Sequence, residues 1–189
     1  MESVILASAS PRRRELLKMI FDNFEVIPAD VDESIGEDVP VGLRAEKIAC
    51  RKAEFIAEKN EKSLVIGCDT AVIVDDIMLG KPENRADAEK MLRMLSGRKH
   101  KVITGCCLCL NGREESFSEV TEVEFFPLDE EELLKYLNTN DWADKAGAYG
   151  IQNMAGLFVK GIEGDYNNVV GLPTARLNRE IRKFTEGKI

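Results

Sequence analysis

The chain has 189 residues, of which 44 % are hydrophobic and 32 % charged. This predicts an ordinary globular protein with one compact domain, or two lobes that share one core. The net charge of −8 argues against a general nucleic-acid binder, which needs a positive surface. No run approaches the roughly 18–20 apolar residues of a membrane span, and the first residues do not resemble a signal peptide. With five cysteines, an odd number, we expect a cytoplasmic protein with no membrane or nucleic-acid partner.

The first predicted feature is a short strand that leads directly into a helix. Residues 4–7 are apolar or small, Ser10 suits a helix N-cap, and Pro11 suits the first helical position. The free amides of such a helix start attract anions. Ser8 and the three arginines at 12–14 lie at the same place. Those arginines could form a solvated face, but positive charge is unfavourable at a helix start unless an anion offsets it. The stretch therefore predicts a phosphate site.

An acidic stretch follows a second predicted strand at residues 24–27. It places Asp30, Asp32 and Glu33 within four positions of one another. A run of this kind is usually a solvated loop. The alternative is a set of ligands for a hard cation, because Mg²⁺ and Mn²⁺ prefer carboxylate oxygens.

Residues 41–58 have the periodicity of an amphipathic helix, with an apolar face that includes Ala49 and Ala53. Lys52 falls in the middle of this face. A buried ammonium group is costly without an anionic partner, so Lys52 either pairs with an anion or extends its head group to water. The pattern leaves both alternatives open.

A β-branched run at residues 64–74 predicts a strand that crosses the core, with Asp69 inside it and Thr70 next. An ionised aspartate in such a strand must be paired or bound to a metal, so we expect Asp69 to be functional. A hairpin turn at 75–76 then returns the chain to Lys81, which lies between a glycine and a proline. This position suits a side chain that reaches back toward Asp69.

The remaining elements alternate in a way that predicts an α/β protein with a mixed sheet. We expect a helix capped by Asn84, a hairpin turning at Asn111, a helix over 130–137 with a capping box from Asp129 and Glu132, and a last helix near Pro173. A strand is predicted over 157–162, followed by a turn over 164–168.

The segment 146–152 is rich in glycine and alanine around Tyr149 and Gln152. It is either a plain glycine-containing loop or a place where the backbone approaches a ligand, in which case the Gln152 amide could contact a nucleobase edge. Cys106 and Cys109 form a Cys-x-x-Cys pattern inside an apolar run. Because no second pair follows and His100 is the only histidine, buried strand cysteines are favoured over a zinc or redox site.

Six short stretches together resemble one protein family. In chain order they are Leu6-Ala-Ser-Ala-Ser-Pro-Arg-Arg-Arg-Glu-Leu-Leu17, Asp32-Glu-Ser34, Gly67-Cys-Asp-Thr70, Gly80-Lys-Pro82, Ala146-Gly-Ala-Tyr-Gly-Ile-Gln152 and Tyr166-Asn-Asn-Val-Val-Gly-Leu-Pro173. They are similar to the motifs of the Maf family of nucleoside triphosphate pyrophosphatases. The resemblance implies an elongated two-lobed α/β fold with a central cleft, similar to inosine triphosphate pyrophosphatases. It also implies a divalent metal, a cytoplasmic location and a homodimer.

The implied reaction is attack of water on the α-phosphorus of a nucleoside triphosphate, which yields a monophosphate and pyrophosphate. Such a reaction needs mainly positioning and charge neutralisation. Ser8, Ser10 and Arg13 would hold the phosphate chain. Lys52 and Lys81 would offset the charge that develops on the pyrophosphate.

Glu33 and Asp69 would hold Mg²⁺ or Mn²⁺ and the attacking water, and by resemblance Asp69 is the proton acceptor. Arg12, Thr70 and Gln152 match the branch of the family that hydrolyses dTTP and UTP, so they would contact the base and the adjacent sugar or phosphates. Two other hypotheses remain open. One is a module that binds a pyrimidine nucleotide without cleaving it, and the other is a regulator of cell division or septum formation that acts through protein partners.

Overall fold

The computed structural model describes residues 1–36 and 38–186. The strands are β1 (Val4–Leu6), β2 (Glu25–Val26), β3 (Leu64–Val74), β4 (Ile77–Leu79), β5 (Lys99–Leu110), β6 (Arg113–Phe125) and β7 (Val159–Glu163). The helices are α1 (Pro11–Leu17), α2 (Val41–Ala57), α3 (Arg85–Leu95), α4 (Glu130–Leu137), α5 (Tyr166–Val170) and α6 (Thr174–Phe184). None of the helices in this part of the chain is both long enough and apolar enough to cross a membrane.

The seven strands of the described residues form one mixed sheet in the order β2-β1-β3-β5-β6-β7, with β4 paired to β3. Strand β1 is parallel to β2 and to β3, with Leu6 opposite Ile66. Strand β4 is antiparallel to β3, and β7 is antiparallel to β6. The predicted α/β class with a mixed sheet is therefore confirmed.

The chain divides into two compact units, and strands β3, β5 and β6 contribute residues to both. The first unit comprises Met1–Asp69, Thr104–Glu119 and Gly171–Ile189, and the second comprises Thr70–Ile103 and Val120–Val170. In the first unit, Leu17 and three residues of α6 pack against apolar side chains of β1 and β3. The α6 residues are Leu177, Ile181 and Phe184, all of which are buried.

The core of the second unit is built from β3, α3, α4 and the aromatic residues that follow them. Helix α3 begins at the predicted cap, since the Asn84 side chain accepts from the backbone N–H of Asp87. Helix α4 begins with the predicted capping box of Asp129 and Glu132. Tyr149 is also buried here, with its ring centroid 4.8 Å from that of Phe125. It is thus a core residue, although its glycine-rich surroundings had suggested proximity to a ligand.

Two elements near the end of the second unit differ from their predictions, one in its start and one in its type. The strand predicted over 157–162 is present as β7, but it starts two residues later, at Val159, because Met154–Phe158 forms a 3₁₀ segment. The 3₁₀ turn directs Phe158 into the core, where its ring lies 5.2 Å from that of Tyr136. In place of a turn over 164–168, α5 occupies Tyr166–Val170. Asp165 favours this helix because its carboxylate accepts from the backbone N–H of Asn167 at 2.8 Å.

His100 makes the stability of the protein depend on pH. The imidazole is buried, with Nε2 2.8 Å from the Tyr149 hydroxyl, and burial lowers its pKa to about 4. The unfolded chain, with a histidine pKa of about 6.5, therefore binds a proton that the folded protein does not bind between these values. We expect the free energy of unfolding to fall by about 3 kcal/mol as the pH drops from about 7 to about 4.

Urea unfolding of wild type and His100→Gln across this pH range measures the effect. Glutamine keeps a polar side chain near Tyr149 but has no proton to gain, so the variant should lose less stability with acid. Carboxylates titrate in both proteins and cancel in the comparison. An identical pH dependence in the two proteins would show that His100 is not responsible.

Candidate active site

The strand-to-helix junction predicted to bind phosphate is formed by polar contacts within the first unit. Ser10 caps α1, since its hydroxyl accepts from the backbone N–H of Arg13 at 3.4 Å. Ser8 is buried at the end of β1, and its hydroxyl accepts from the backbone N–H of Ser10 at 3.3 Å. The predicted N-cap and the predicted proline at the first helical position are both confirmed.

Arg13 is held in a defined orientation by two other segments. Its Nε donates to the carbonyl of Gly171 at 2.9 Å, and its Nη1 donates to the Ser8 hydroxyl at 3.0 Å. Gly171 lies in the segment before α6, so the sequence contained no signal for this contact. Arg12 is also half-buried, whereas Arg14 is exposed. Two cationic side chains and a capped helix start are therefore concentrated at one end of β1, an arrangement that favours an anion.

Lys52 is the buried centre of a cluster of charges. Its Nζ lies 2.8 Å from Asp69 Oδ1 and 2.8 Å from Glu33 Oε1. The exposed fraction of the side chain is 9 % for Lys52, 15 % for Asp69 and 55 % for Glu33. Of the two alternatives for Lys52, the structure therefore shows an ammonium group paired with anions. One positive charge faces two negative ones, so the cluster retains an excess negative charge that can attract a cation.

Two glycines allow α2 to approach the sheet closely enough to place Lys52 there. A Cβ atom on Gly67 of β3 would lie 2.1 Å from the Ala49 carbonyl oxygen, and one on Gly105 of β5 would lie 2.4 Å from Glu46 Cα. Both distances are shorter than any van der Waals contact. The backbone of α2 thus rests directly on β3 and β5, and from there Lys52 reaches Asp69 of β3.

The acidic loop is tied to the same helix by an interaction that the sequence did not reveal. Arg51, which the helical pattern directs away from the apolar face, donates through Nη1 to the carbonyls of Asp32 and Ser34. The Asp32 carboxylate accepts from the N–H and the hydroxyl of Ser34, which lowers its pKa. The two hydrogen bonds from Arg51 flank Glu33 and hold it where it reaches Lys52. Asp30 is exposed.

The phosphate-site residues and the charge cluster lie toward the same end of two neighbouring strands, β1 and β3. Strands β1 and β3 are parallel, and Leu6 is opposite Ile66. Ser8 and Asp69 follow these paired residues by two and three positions. Ser8 lies beyond the carboxyl end of β1, and Asp69 lies in the part of β3 that extends past that end. Since ligands of parallel sheets bind beyond the carboxyl ends of the strands, this end of β1 is the candidate active site of the first unit.

Three predicted residues belong to the second unit. Thr70 follows Asp69 in β3 and is half-buried. Lys81 follows β4, Gln152 is the last residue of the glycine-rich segment, and both are exposed. The glycine-rich segment is shaped by Gly147, whose φ of +66° favours glycine and whose Cβ would lie 3.0 Å from Val72.

Comparison with known proteins places these features in one family. Residues 3–184 match the family described as Maf-like protein. A dTTP/UTP pyrophosphatase of Bacillus cytotoxicus is 46 % identical over 187 residues, covering 99 % of this chain and 98 % of that protein. Two other dTTP/UTP pyrophosphatases, of Carboxydothermus hydrogenoformans and Ruminiclostridium cellulolyticum, are 49 % and 43 % identical, with coverage of at least 96 % of each chain. The match spans nearly the whole sequence, and the chain belongs to the Maf family.

Proposed function

We propose that this protein hydrolyses dTTP and UTP to the nucleoside monophosphate and pyrophosphate. The observation that carries the proposal is the burial of Lys52 between Asp69 and Glu33, in the unit that also contains Ser8 and Arg13. Catalytic sites commonly contain such clusters of buried, interacting charges. The substrate follows from the names of relatives that are 43–49 % identical over nearly their full length.

In this proposal the helix start holds the triphosphate. The Ser8 and Ser10 hydroxyls, the backbone amides of α1 and the Arg13 guanidinium would donate to phosphate oxygens. Arg13 already makes two hydrogen bonds, so its side chain is ordered before the nucleotide arrives. This lowers the entropic cost of binding.

Glu33 and Asp69 fit the ligand set of a divalent cation, and we propose Mg²⁺ or Mn²⁺. Each places a carboxylate oxygen 2.8 Å from the Lys52 ammonium nitrogen, so the two acids are close neighbours. Carboxylate oxygens are the ligands that these hard cations prefer. When bound, the cation would offset phosphate charge and lower the pKa of a bound water.

The chain's own residues then account for the proton and charge transfers. Asp69 would accept a proton from the water that attacks the α-phosphorus. The bond between the α-phosphorus and the bridging oxygen breaks, and pyrophosphate leaves with the bonding electrons. Lys52 and Lys81 would offset the negative charge that develops on this leaving group. Lys52 is held near the reacting groups by its hydrogen bond to Asp69 Oδ1 at 2.8 Å.

Arg12, Thr70 and Gln152 would contact the base and the adjacent sugar or phosphates. We further propose that the protein is a cytoplasmic homodimer, as the family resemblance implies. These two proposals rest on the resemblance and not on a contact within the chain.

The proposed function is tested by measuring pyrophosphate release from a panel of nucleoside triphosphates with Mg²⁺ or Mn²⁺. We expect dTTP and UTP to be hydrolysed fastest, with the monophosphate as the second product. Activity restricted to purine or 7-methylated nucleotides would contradict the roles given to Arg12, Thr70 and Gln152. Nucleotide binding without any pyrophosphate release would contradict the enzyme and favour a binding module.

Gln152 provides a test of base recognition. If its amide contacts the pyrimidine, Gln152→Ala should lower kcat/KM for dTTP and UTP about tenfold, since one hydrogen bond to the substrate is lost. The neighbouring Asn153 is a matched control, because its amide donates to Asp141 at 2.8 Å. Asn153→Ala should leave kcat/KM near the wild-type value. Equal losses in the two variants would mean that the loop is perturbed and that Gln152 does not read the base.

A further inference from the structure

A second cluster of metal-ligating groups lies in the first unit and has no role in the proposed reaction. Cys50 of α2, Cys107 of β5 and Glu114 of β6 bring their sulfur and oxygen atoms within 4.8 Å of one another. Cys107 is buried, Cys50 is half-buried and Glu114 is exposed. All five cysteines lie in the described residues, and none of them forms a disulfide.

We propose that Cys50, Cys107 and Glu114 form a site for Zn²⁺. Zinc binds thiolate sulfur at about 2.3 Å and carboxylate oxygen at about 2.1 Å in a tetrahedral arrangement, so its ligand atoms lie about 3.5–4 Å apart. The three ligand atoms, which lie within 4.8 Å of one another, approach this spacing. Side-chain rotations that move these atoms by about 1 Å would bring them to zinc-binding distances. The two thiolates distinguish this site from that of Glu33 and Asp69, whose oxygens favour Mg²⁺ or Mn²⁺.

A pocket of about 340 Å³ gives an ion access to this cluster. Both Cys50 and Glu114 line it. Among the residues that the structure describes, the charged ones that line it are Asp38, Glu46, Lys47, Arg51, Glu54 and Glu114. Four carboxylates face two cationic side chains, and Glu54 and Glu114 are close enough to share a hydrogen bond. This crowding of acids favours a cation, and the open side leaves the fourth zinc position to water.

The environment of the site also fits bound metal. Ser116 and Ser118 donate to Glu46 at 2.8 and 2.6 Å, which holds that carboxylate at the wall of the pocket. On the inner side, the Cys109 sulfur lies 4.0 Å from that of Cys107. Binding of zinc would release the protons of the Cys50 and Cys107 thiols to the buffer, since the thiolate is the ligand.

The site has a structural consequence for the proposed active site. Its ligands come from a helix and two strands, so an ion at this position would link α2 to the sheet. Lys52 follows Cys50 by two residues on the same helix. Bound zinc would therefore stabilise the helix that holds Lys52, because an ion that binds the folded state alone increases its stability.

Titration of the intact protein with Co²⁺ in excess Mg²⁺ tests the proposal. Cobalt replaces zinc with similar geometry, and its thiolate charge-transfer absorption distinguishes a cysteine site from Glu33 and Asp69. We expect one equivalent to bind with this absorption and to be displaced by Zn²⁺. Zn²⁺ alone should raise the melting temperature of the wild type.

Two variants and one control complete the test. Cys50 is half-buried and Glu114 is exposed, so Cys50→Ala and Glu114→Gln should fold normally. We expect Cys50→Ala to remove the charge-transfer absorption and Glu114→Gln to weaken binding by at least about tenfold. Cys106→Ala is the matched control, because that sulfur lies 3.8 Å from Cys68 on the other face of β5. Absence of the absorption in wild type, or equal affinities in Cys50→Ala and Cys106→Ala, would overturn the proposal. Pyrophosphate release by wild type would stand in either case.

Discussion

Replacing Asp69 by asparagine is expected to lower kcat for dTTP hydrolysis about a thousandfold, since a positioned general base contributes about 10²–10⁴ to a rate. Asparagine has nearly the same shape but cannot accept the proton of the attacking water. It also removes one of the two negative charges beside Lys52, whose Nζ lies 2.8 Å from Asp69 Oδ1. The loss should fall on kcat more than on KM, because Ser8 and Arg13 remain to hold the phosphates.

Asp75→Asn is the matched control for this experiment. Asp75 is an exposed residue of the turn after β3, with a φ of +50° that asparagine tolerates. Its partner is Arg98, so its loss affects a surface ion pair only. We expect kcat near the wild-type value. A kcat for Asp69→Asn within about threefold of wild type would contradict the assignment of Asp69 as the base.

The second large effect is expected from Gly67→Val, which should lower the free energy of unfolding by about 3–5 kcal/mol. The added Cβ would meet the Ala49 carbonyl at 2.1 Å and the Ala53 side chain at 2.9 Å. Neither the α2 backbone nor the β-carbon of an alanine can rotate out of the way, so the helix must move off β3. For a chain of 189 residues this corresponds to a fall of roughly 10 °C in melting temperature.

Gly161→Val separates this clash from a general effect of losing glycine. A Cβ at Gly161 of β7 meets no atom within 4 Å, and valine favours a strand. Its melting temperature should match or exceed that of wild type. Because displacement of α2 also moves Lys52, Gly67→Val should lose activity at temperatures where it is still folded. Equal melting temperatures for the two variants would show that α2 is not packed as tightly as described.

Much of the fold was predictable because its signals are local. The cap at Ser10, the capping box of Asp129 and Glu132, and the 64–74 strand depend on residues near one another in the chain, and all three were confirmed. The strand predicted from 157 starts only at Val159 because a 3₁₀ segment buries Phe158, and the turn predicted over 164–168 was wrong because the Asp165 cap favours a helix.

For the candidate site, too, local features were predictable and long-range contacts were not. The sequence alone determined that Lys52 lies on an apolar helix face and Asp69 inside a buried strand, because periodicity and residue type suffice for that. Only the tertiary structure decided that they pair with each other and with Glu33, since the partners are 17 and 19 residues from Lys52.

Only the tertiary structure revealed two further contacts, which no sequence pattern predicted. Arg13 donates to the carbonyl of Gly171, and Cys50 approaches Cys107 and Glu114 from a separate helix. A backbone carbonyl has no sequence signature, and residues more than 50 positions apart meet only when the sheet order has been set. The sequence determined which side chains carry chemistry, and the packing of α2 and α6 on the sheet decided which of them act together, because close approach depends on the whole fold.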